Sequence, residues 1–312
     1  MASLQAEVLK LALRLMVKRD GIGSREALVK HLRSAMNSRL LPSPLPAGVR
    51  MRKDTLGGVR GQWLEVSNPR MVLLYLHGGA FIGGLLETYH PFCGELARKL
   101  SARIFLADYR LAPEHPFPAA PDDALAAYAA LLESEGGKLP VVMAGDSAGG
   151  NLTLVTLLRA RDMGLRLPAC AVALSPGADA TGTLWSVSAN SGADAMLSKS
   201  MIDLAIGIYL NGAEPSAPHA SPARGHYAGF PPLMLTVSDS ECLRDDAYLV
   251  AQKAREAGVA VQMLVRPDMP HVWPIFNLFL PEAKRDLAKI VRFIERHADH
   301  PVGMQSKCGE IA

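Results

Sequence analysis

Gly145-Asp146-Ser147-Ala148-Gly149 has the form Gly-x-Ser-x-Gly, and its surroundings give it weight. The apolar run from Leu139 to Ala144 leads in and reads as a buried strand, and Gly150 to Leu158 leads out and reads as a helix. A serine on such a strand-to-helix turn is held in a strained backbone conformation, with its hydroxyl pushed out above the sheet. The flanking positions are glycine because a Cβ at either would collide with the neighbouring strand or helix. A bare match to this pattern describes many Gly-rich turns. In a strand–turn–helix context it describes a nucleophile elbow.

A serine hydroxyl is a poor nucleophile at neutral pH. It needs a base, a group that orients the base, and donors for the developing oxyanion. Of the nine histidines, His271 in Met269-Pro270-His271-Val272-Trp273 is the candidate base, because its short loop follows the last expected strand and so lies above the sheet. His90 and His297 fall in helical segments, His31 in the N-terminal helix and His300 near the tail. His219 and His226 fall in an irregular stretch, and His77 and His115 belong to other motifs. The orienting acid must follow the strand Leu233–Val237. Asp245 and Asp246 begin a helix there, where the helix dipole alone accounts for a carboxylate, which leaves Asp239 and Glu241. Two places offer oxyanion donors: the Ala148 backbone N–H, and the loop His77-Gly78-Gly79-Ala80-Phe81 after an early apolar strand. His77 itself reads as a pin for that loop rather than a proton carrier.

These groups need a scaffold that puts the ends of several strands side by side, and the chain alternates strands and helices accordingly. Strands are expected at Met71–Leu76, Arg103–Ala107, Val141–Ala144, Ala169–Leu174, Leu233–Val237 and Val261–Val265. Val49–Lys53 and Gly61–Val66 form an earlier hairpin around Gly57-Gly58. Helices are expected at Thr88–Leu100, Asp122–Leu132, Ala148–Met163, Asp245–Ala257 and Glu282–Arg296. Continuous apolar strands alternating with amphipathic helices mean a parallel sheet covered on both faces, an α/β fold. Two further helices come first, Ala2 to Arg19 and Ser24 to about Leu40, before Pro42, Pro44 and Pro46. Their apolar residues Leu4, Val8, Leu11, Leu15, Leu28, Leu32 and Met36 are expected to lie over the active site, with the segment around Met196–Leu210, as an apolar acyl pocket. The stretch from Gly177 to Phe230 breaks the alternation, with one helix near Ser200–Leu210. An insertion there sits above the carboxyl ends of the strands.

Composition sets the limits. A chain of 312 residues is long enough for one large α/β domain plus an accessory element, or for two small domains, and 49% hydrophobic with 20% charged residues describes a globular protein with a sizeable core. The net charge of +3 is not gathered into a block, which argues against a nucleic-acid partner. Cys93, Cys170, Cys242 and Cys308 lie far apart and read as free thiols in a reducing compartment. No apolar run is long enough to span a membrane, and Glu7, Lys10, Arg14, Lys18 and Arg19 interrupt any signal-peptide core, so the expected location is cytoplasmic. No cofactor or metal motif is present.

The chain resembles the hormone-sensitive-lipase-like (bacterial family IV) esterases of the α/β-hydrolase fold. His77-Gly78-Gly79-Ala80-Phe81 resembles that family's His-Gly-Gly-Gly motif. Asp108-Tyr109-Arg110-Leu111-Ala112-Pro113-Glu114-His115-Pro116-Phe117-Pro118-Ala119-Ala120 is close to its next signature, best read as a braced loop, and Gly145 to Asn151 matches its elbow. The resemblance implies cofactor-free hydrolysis of small carboxylic esters through an acyl-enzyme on Ser147, with Gly78, Gly79 and Ala148 as oxyanion donors. It also implies a helical cap made of residues 1–45 and 177–230, over a hydrolase core of 46–176 and 231–312. Registering Leu243-Arg244-Asp245-Asp246 on the family's acid motif puts Glu241, rather than Asp239, in the triad with Ser147 and His271. Ala80 replaces a third glycine, which bears on the fit of bulky substrates. Oligomeric state is open, with a homodimer as one option. An amidase or deacetylase would use the same triad. A non-catalytic ligand receptor on this fold would lack part of it, and here the set is complete.

Overall fold

The computed structural model describes residues 2–37, 45–135 and 137–298. The expected helix end at Leu40, the stops Pro42 and Pro44, and His300 and Cys308 lie outside the described residues. Eight strands form one sheet: β1 Arg50–Leu56, β2 Val59–Glu65, β3 Met71–Leu76, β4 Ala102–Ala107, β5 Val141–Asp146, β6 Cys170–Leu174, β7 Leu233–Ser238 and β8 Val261–Arg266. Their order is β1-β2-β4-β3-β5-β6-β7-β8. The β1–β2 hairpin is antiparallel, β2 runs antiparallel to β4, and all remaining pairs are parallel.

The inner strands of the parallel part feed both faces, which is why their sequences are largely apolar. All six residues of β3 are buried. Leu74 and Leu76 pack on one face with Leu152 and Leu157 of α5 (Ala148–Asp162) and with Tyr128 and Leu131 of the preceding helix, Ala119–Glu135 (α4). Leu73 and Tyr75 point the other way, toward Phe92 and Leu96 of α3 (His90–Leu100) and Leu287 and Ile294 of Pro281–Ala298 (α9). The remaining core helix, α8, spans Arg244–Glu256. The central elements fall where the sequence places them, with ends shifted by at most three residues.

The insertion between β6 and β7 holds α6 (Trp185–Ala189), a five-residue helix too short for a periodic signal, and α7 (Lys199–Leu210). Its two ends are tied to the core. The Asn151 side-chain amide, 1% exposed, donates to Gly177 O at 2.8 Å and to Ala220 O at 3.0 Å. Asp246 Oδ1 accepts the N–H groups of Ala178 and Asp179, both at 2.7 Å. Helix α2 (Arg25–Asn37) packs on α7, joining Leu28 and Leu32 to Met201 and Ile208 in one apolar cluster.

Helix α1 (Leu4–Met16) departs from expectation. Leu4, Val8, Leu11 and Leu15 face outward, 77%, 62%, 60% and 66% exposed, and line no acyl pocket. The helix instead docks through Ala6, buried in the core cluster with Leu9 packed against it, and through polar contacts on either side of it. Ser3 donates from N and Oγ to Glu282, at 3.0 Å each, and Lys10 pairs with Asp268 at 2.7 Å. Arg14 donates to Ala193 O at 3.0 Å, and Lys18 to Ser191 O and Asp194 O at 2.5 and 2.9 Å. Periodicity identifies an apolar stripe; it does not say which side of a helix meets the core.

Asn151→Ala removes both ties at the ends of the insertion and leaves two carbonyls without that partner, a loss of about 3 kcal/mol in denaturant unfolding. Limited proteolysis is then expected to cut first within residues 177–220. Native stability with unchanged cleavage would contradict this account.

Candidate active site

β5 delivers Ser147 to the carboxyl end of the sheet. Its backbone sits at φ 53° and ψ −117°, a region that L-residues rarely occupy. The neighbours enforce this. A Cβ on Gly145 would lie 2.3 Å from Gly149 O, and one on Gly149 would lie 1.9 Å from Leu76 O, so both flanks must be glycine. The Ser147 N–H donates to Leu174 O at the end of β6, at 2.8 Å.

His271 lies in the loop after β8 and is 3% exposed. Its Nδ1 is 2.7 Å from Glu241 Oε2, and its Nε2 is 2.9 Å from Ser147 Oγ. A carboxylate only accepts, so Nδ1 carries the proton, and Nε2 is left to accept from the serine hydroxyl. Glu241 is fully buried in the turn after β7. Its Oε1 accepts from Ser238 N at 2.7 Å and from Ser175 Oγ at 3.0 Å. Ser175 Oγ also accepts the Val272 N–H at 3.3 Å, so one hydroxyl joins the acid turn to the histidine loop. Asp239 stands apart. It is exposed, and its Oδ1 accepts the Asp268 N–H at 2.9 Å.

Burial pulls the His271 pKa down. The hydrogen bond and charge of Glu241 outweigh it, with Asp194 and Asp146 adding to them, and leave the imidazole above its ordinary value. Burial pushes the Glu241 carboxyl up, opposed by the contact with His271.

The loop after β3 contains a correction. Gly78 was expected to offer its N–H to substrate. That N–H instead donates to Asp146 Oδ1 at 3.0 Å and to Tyr89 Oη at 2.9 Å. Asp146 is 1% exposed and also accepts from Tyr75 Oη and Tyr89 Oη, at 3.0 and 3.1 Å. Burial pushes its carboxyl up to about 6, against those three donors. Among the described residues, no hydrogen bond to a protein acceptor engages the N–H of Gly79 or Ala80. The Ala148 N–H is the first of its helix and has no intrahelical partner. Gly79 has φ +125°, and a Cβ there would lie 2.0 Å from Gly83 O. Ala80 and Phe81 follow at φ 56° and 61°.

His77 pins the loop, as expected. It is fully buried, Nδ1 donates to Gly78 O at 2.8 Å, and its ring stacks on Tyr109 at 4.3 Å. Burial pulls its pKa down and keeps it neutral. The Asp108–Ala120 loop is braced: Tyr109 Oη donates to His77 O at 2.6 Å, and Arg110 makes a forked pair with Asp123. From above, Arg33 donates to Ile82 O and Ala112 O and pairs with Glu114 at 2.6 Å. Phe81 stacks on Tyr209 of α7 at 3.7 Å. A cleft of about 470 Å³ opens beside Arg25, Val29, Arg33, Pro113 and Ile208, and no triad residue lines it. Among the described residues no group of His, Cys, Asp and Glu could hold a metal ion, and no helix is long and apolar enough to cross a membrane.

A strained serine at the end of a central parallel strand, aligned with a buried histidine and acid, makes this a serine hydrolase. A profile of the alpha/beta hydrolase fold family matches residues 73–275. An acetyl-hydrolase of Streptomyces hygroscopicus is 38% identical over 74% of this chain and 78% of its own. An esterase of Acinetobacter venetianus is 34% identical over 78% of this chain and 82% of its own. Two crystal structures superpose over 96% of the chain. One is an esterase/lipase from an uncultured bacterium, with TM-score 0.85, 35% identity and 100% of that chain covered. The other is an esterase of the bacterial hormone-sensitive lipase family, with TM-score 0.86, 33% identity and 99% covered. The chain belongs to the hormone-sensitive-lipase-like (bacterial family IV) esterases of the alpha/beta hydrolase fold. It hydrolyses carboxylic esters, by the acyl-enzyme route general to that family.

Glu241→Gln is expected to lower turnover about 10⁴-fold, since an amide in the acid's place stabilises the wrong imidazole tautomer. Asp239→Asn, out on the surface, is expected to stay within a few-fold of the parent. Steady-state kinetics on one chromogenic acetate ester compares them, and the reverse ranking would move the acid to Asp239.

Proposed function

We propose that Ser147, His271 and Glu241 act as nucleophile, base and orienting acid in the hydrolysis of short-chain esters. The 2.9 and 2.7 Å line from Ser147 through His271 to Glu241 carries this reading. His271 Nε2 takes the hydroxyl proton as Ser147 Oγ attacks the ester carbonyl carbon. The imidazolium then gives that proton to the leaving alcohol, and the acyl group stays on Oγ. Water, deprotonated by the same nitrogen, attacks the acyl carbon, and the acid leaves as the imidazolium returns the proton to Ser147 Oγ. The N–H groups of Gly79 and Ala148 hold the oxyanion, joined by Ala80 in place of Gly78.

The preference for short acyl chains rests on how closely the elements outside the sheet sit on the oxyanion loop. Met36 fills the space beside Gly79 and Gly83, and Phe81 is stacked under Tyr209. An acetyl-hydrolase among the relatives points the same way. On this reading residues 1–45 and 177–230 form the cap over a core of 46–176 and 231–312. A cytoplasmic location fits the three buried free thiols of Cys93, Cys170 and Cys242.

Ser147→Ala is expected to keep the fold and lose at least about 10⁴-fold in turnover. A phosphonate ester is expected to label Ser147 alone in peptide mapping. A variant that keeps a few per cent of its activity, or label on another serine, would end this reading. Across acetyl to palmitoyl esters, kcat/KM is expected to peak at the short end.

The pH profile follows from His271. Only the neutral imidazole accepts a proton, and its pKa lies above the ordinary value of about 6.5. Activity is therefore complete on the alkaline side and falls as pH drops through that raised value, one decade in kcat/KM per unit. A flat profile down to about pH 4.5 would remove His271 as the base.

A further inference from the structure

The turn that carries Glu241 is held from outside the sheet. Asp194, between α6 and α7, is 2% exposed. Its Oδ2 accepts the Cys242 N–H at 2.9 Å, and its Oδ1 accepts Met196 N and Leu197 N at 2.8 and 3.0 Å. Asn190, at the end of α6, donates its amide to Asp239 O at 2.9 Å and to Glu241 O at 2.8 Å. With Ser186 Oγ, which donates to Cys242 O at 2.7 Å, these hydrogen bonds from the insertion grip residues 239–242 on both sides of the acid. Lys18 clamps the same segment from the N-terminal side, through Ser191 O and Asp194 O.

A turn cap does not require a carboxylate, since Asn or Ser caps turns as well. A buried charge is costly, so its presence calls for a compensating use. The charged groups that bear on His271 are Glu241, Asp194 and Asp146, all negative and all favouring the imidazolium. Imidazolium is the species that forms as Ser147 attacks.

We propose that Asp194 is a positioning residue for catalysis: it fastens the Glu241 turn to the insertion and places a second negative charge behind the imidazolium of His271. The proposal rests on the triad assigned above. It makes the seating of the insertion a condition of triad alignment. Asp194 touches neither substrate nor reacting atom, so its loss acts on kcat and not on KM.

The test is Asp194→Asn in the full chain, with kcat, KM and the pH profile measured on p-nitrophenyl acetate. The amide keeps the size but loses the charge, and it presents a donor to one of the two sets of N–H groups. Between tenfold and a hundredfold is expected to be lost in kcat, about what an ångström of misplacement costs. KM is expected to stay near the parent value and the acid limb to move to lower pH. The downfield Nδ1 proton resonance of His271 is expected to shift. Asn190→Ala loosens the same turn without changing charge, and is expected to lower kcat with the limb unmoved. Parent kcat in either variant, or a reduced kcat with an unmoved limb in Asp194→Asn, overturns the proposal. If Asp194→Asn does not fold, Asn190→Ala decides. Activity surviving in Ser147→Ala or Glu241→Gln would fault the triad instead, so the two failures are distinguishable.

Discussion

The backbone at Ser147 is the constraint on which the rest of the structure depends. A non-glycine residue at φ 53° and ψ −117° costs of order 1–3 kcal/mol and persists only where its surroundings leave no alternative. The two strands beside β5 supply that compulsion. On the β3 side, Leu76 O leaves no room for a side chain at Gly149. On the β6 side, Leu174 O takes the Ser147 N–H, and the Ser147 carbonyl in turn accepts from Asn151 N and Gly177 N at 3.0 and 3.2 Å. The hydroxyl is therefore placed by the sheet itself, and everything that reacts with it must come to that point.

Loops at the ends of parallel strands have lost their ladder partners, and their buried N–H groups need other acceptors. Buried acidic side chains meet this need at several places. Asp146 takes Gly78 N, Glu241 takes Ser238 N, Asp194 takes Met196, Leu197 and Cys242 N, and Asp246 takes Ala178 and Asp179 N. Burial pushes the carboxyl groups of Asp146 and Glu241 up, and that of Asp246 up to about 8. Asp146, Glu241 and Asp194 are the groups that hold the His271 imidazole above its ordinary pKa. One set of side chains thus settles the loop backbone and biases the base toward the charge it must carry.

The parts legible in the sequence were those with a local signal. The apolar strands and the elbow are such parts, because the Gly-x-Ser-x-Gly pattern is written within five residues, even though the backbone that demands Gly149 is Leu76 O of β3. His271 followed from its place after the last strand. Ser175 and Asp194 gave no signal, because their partners, Glu241 and Cys242, lie 66 and 48 residues away. Gly78 was misread for a related reason. A glycine in such a loop offers an N–H, but only the arrival of Asp146 from β5 shows that this one is already engaged. Asp245 and Asp246 looked sufficient as helix-start carboxylates. They also hold Ser186 N and the first residues of the insertion.

The elements outside the sheet divide by the kind of contact they make. α2 and α7 meet the oxyanion loop mainly through apolar and aromatic surfaces, with Met36 beside Gly79, Phe81 on Tyr209 and the cluster around Leu28 and Ile82, and Arg33 adds one polar tie to Ile82 O. α1 and the α6–α7 turn meet the acid and base loops through directed polar bonds: Lys10 to Asp268, Asn190 to Glu241 O, Asp194 to Cys242 N. Apolar contact is non-directional and tolerates small displacements, whereas hydrogen bonds lose strength steeply as they lengthen or tilt. The oxyanion loop is already fixed from below by Asp146 and His77, so a tolerant cover is enough there. The acid turn ends at a carboxylate whose position sets the imidazole, and a tolerant contact would let it drift. The outward apolar face of α1 fits the same division: Ala6 and Leu9 seat the helix on the core, and the polar bonds of Ser3, Lys10 and Arg14 fix its position.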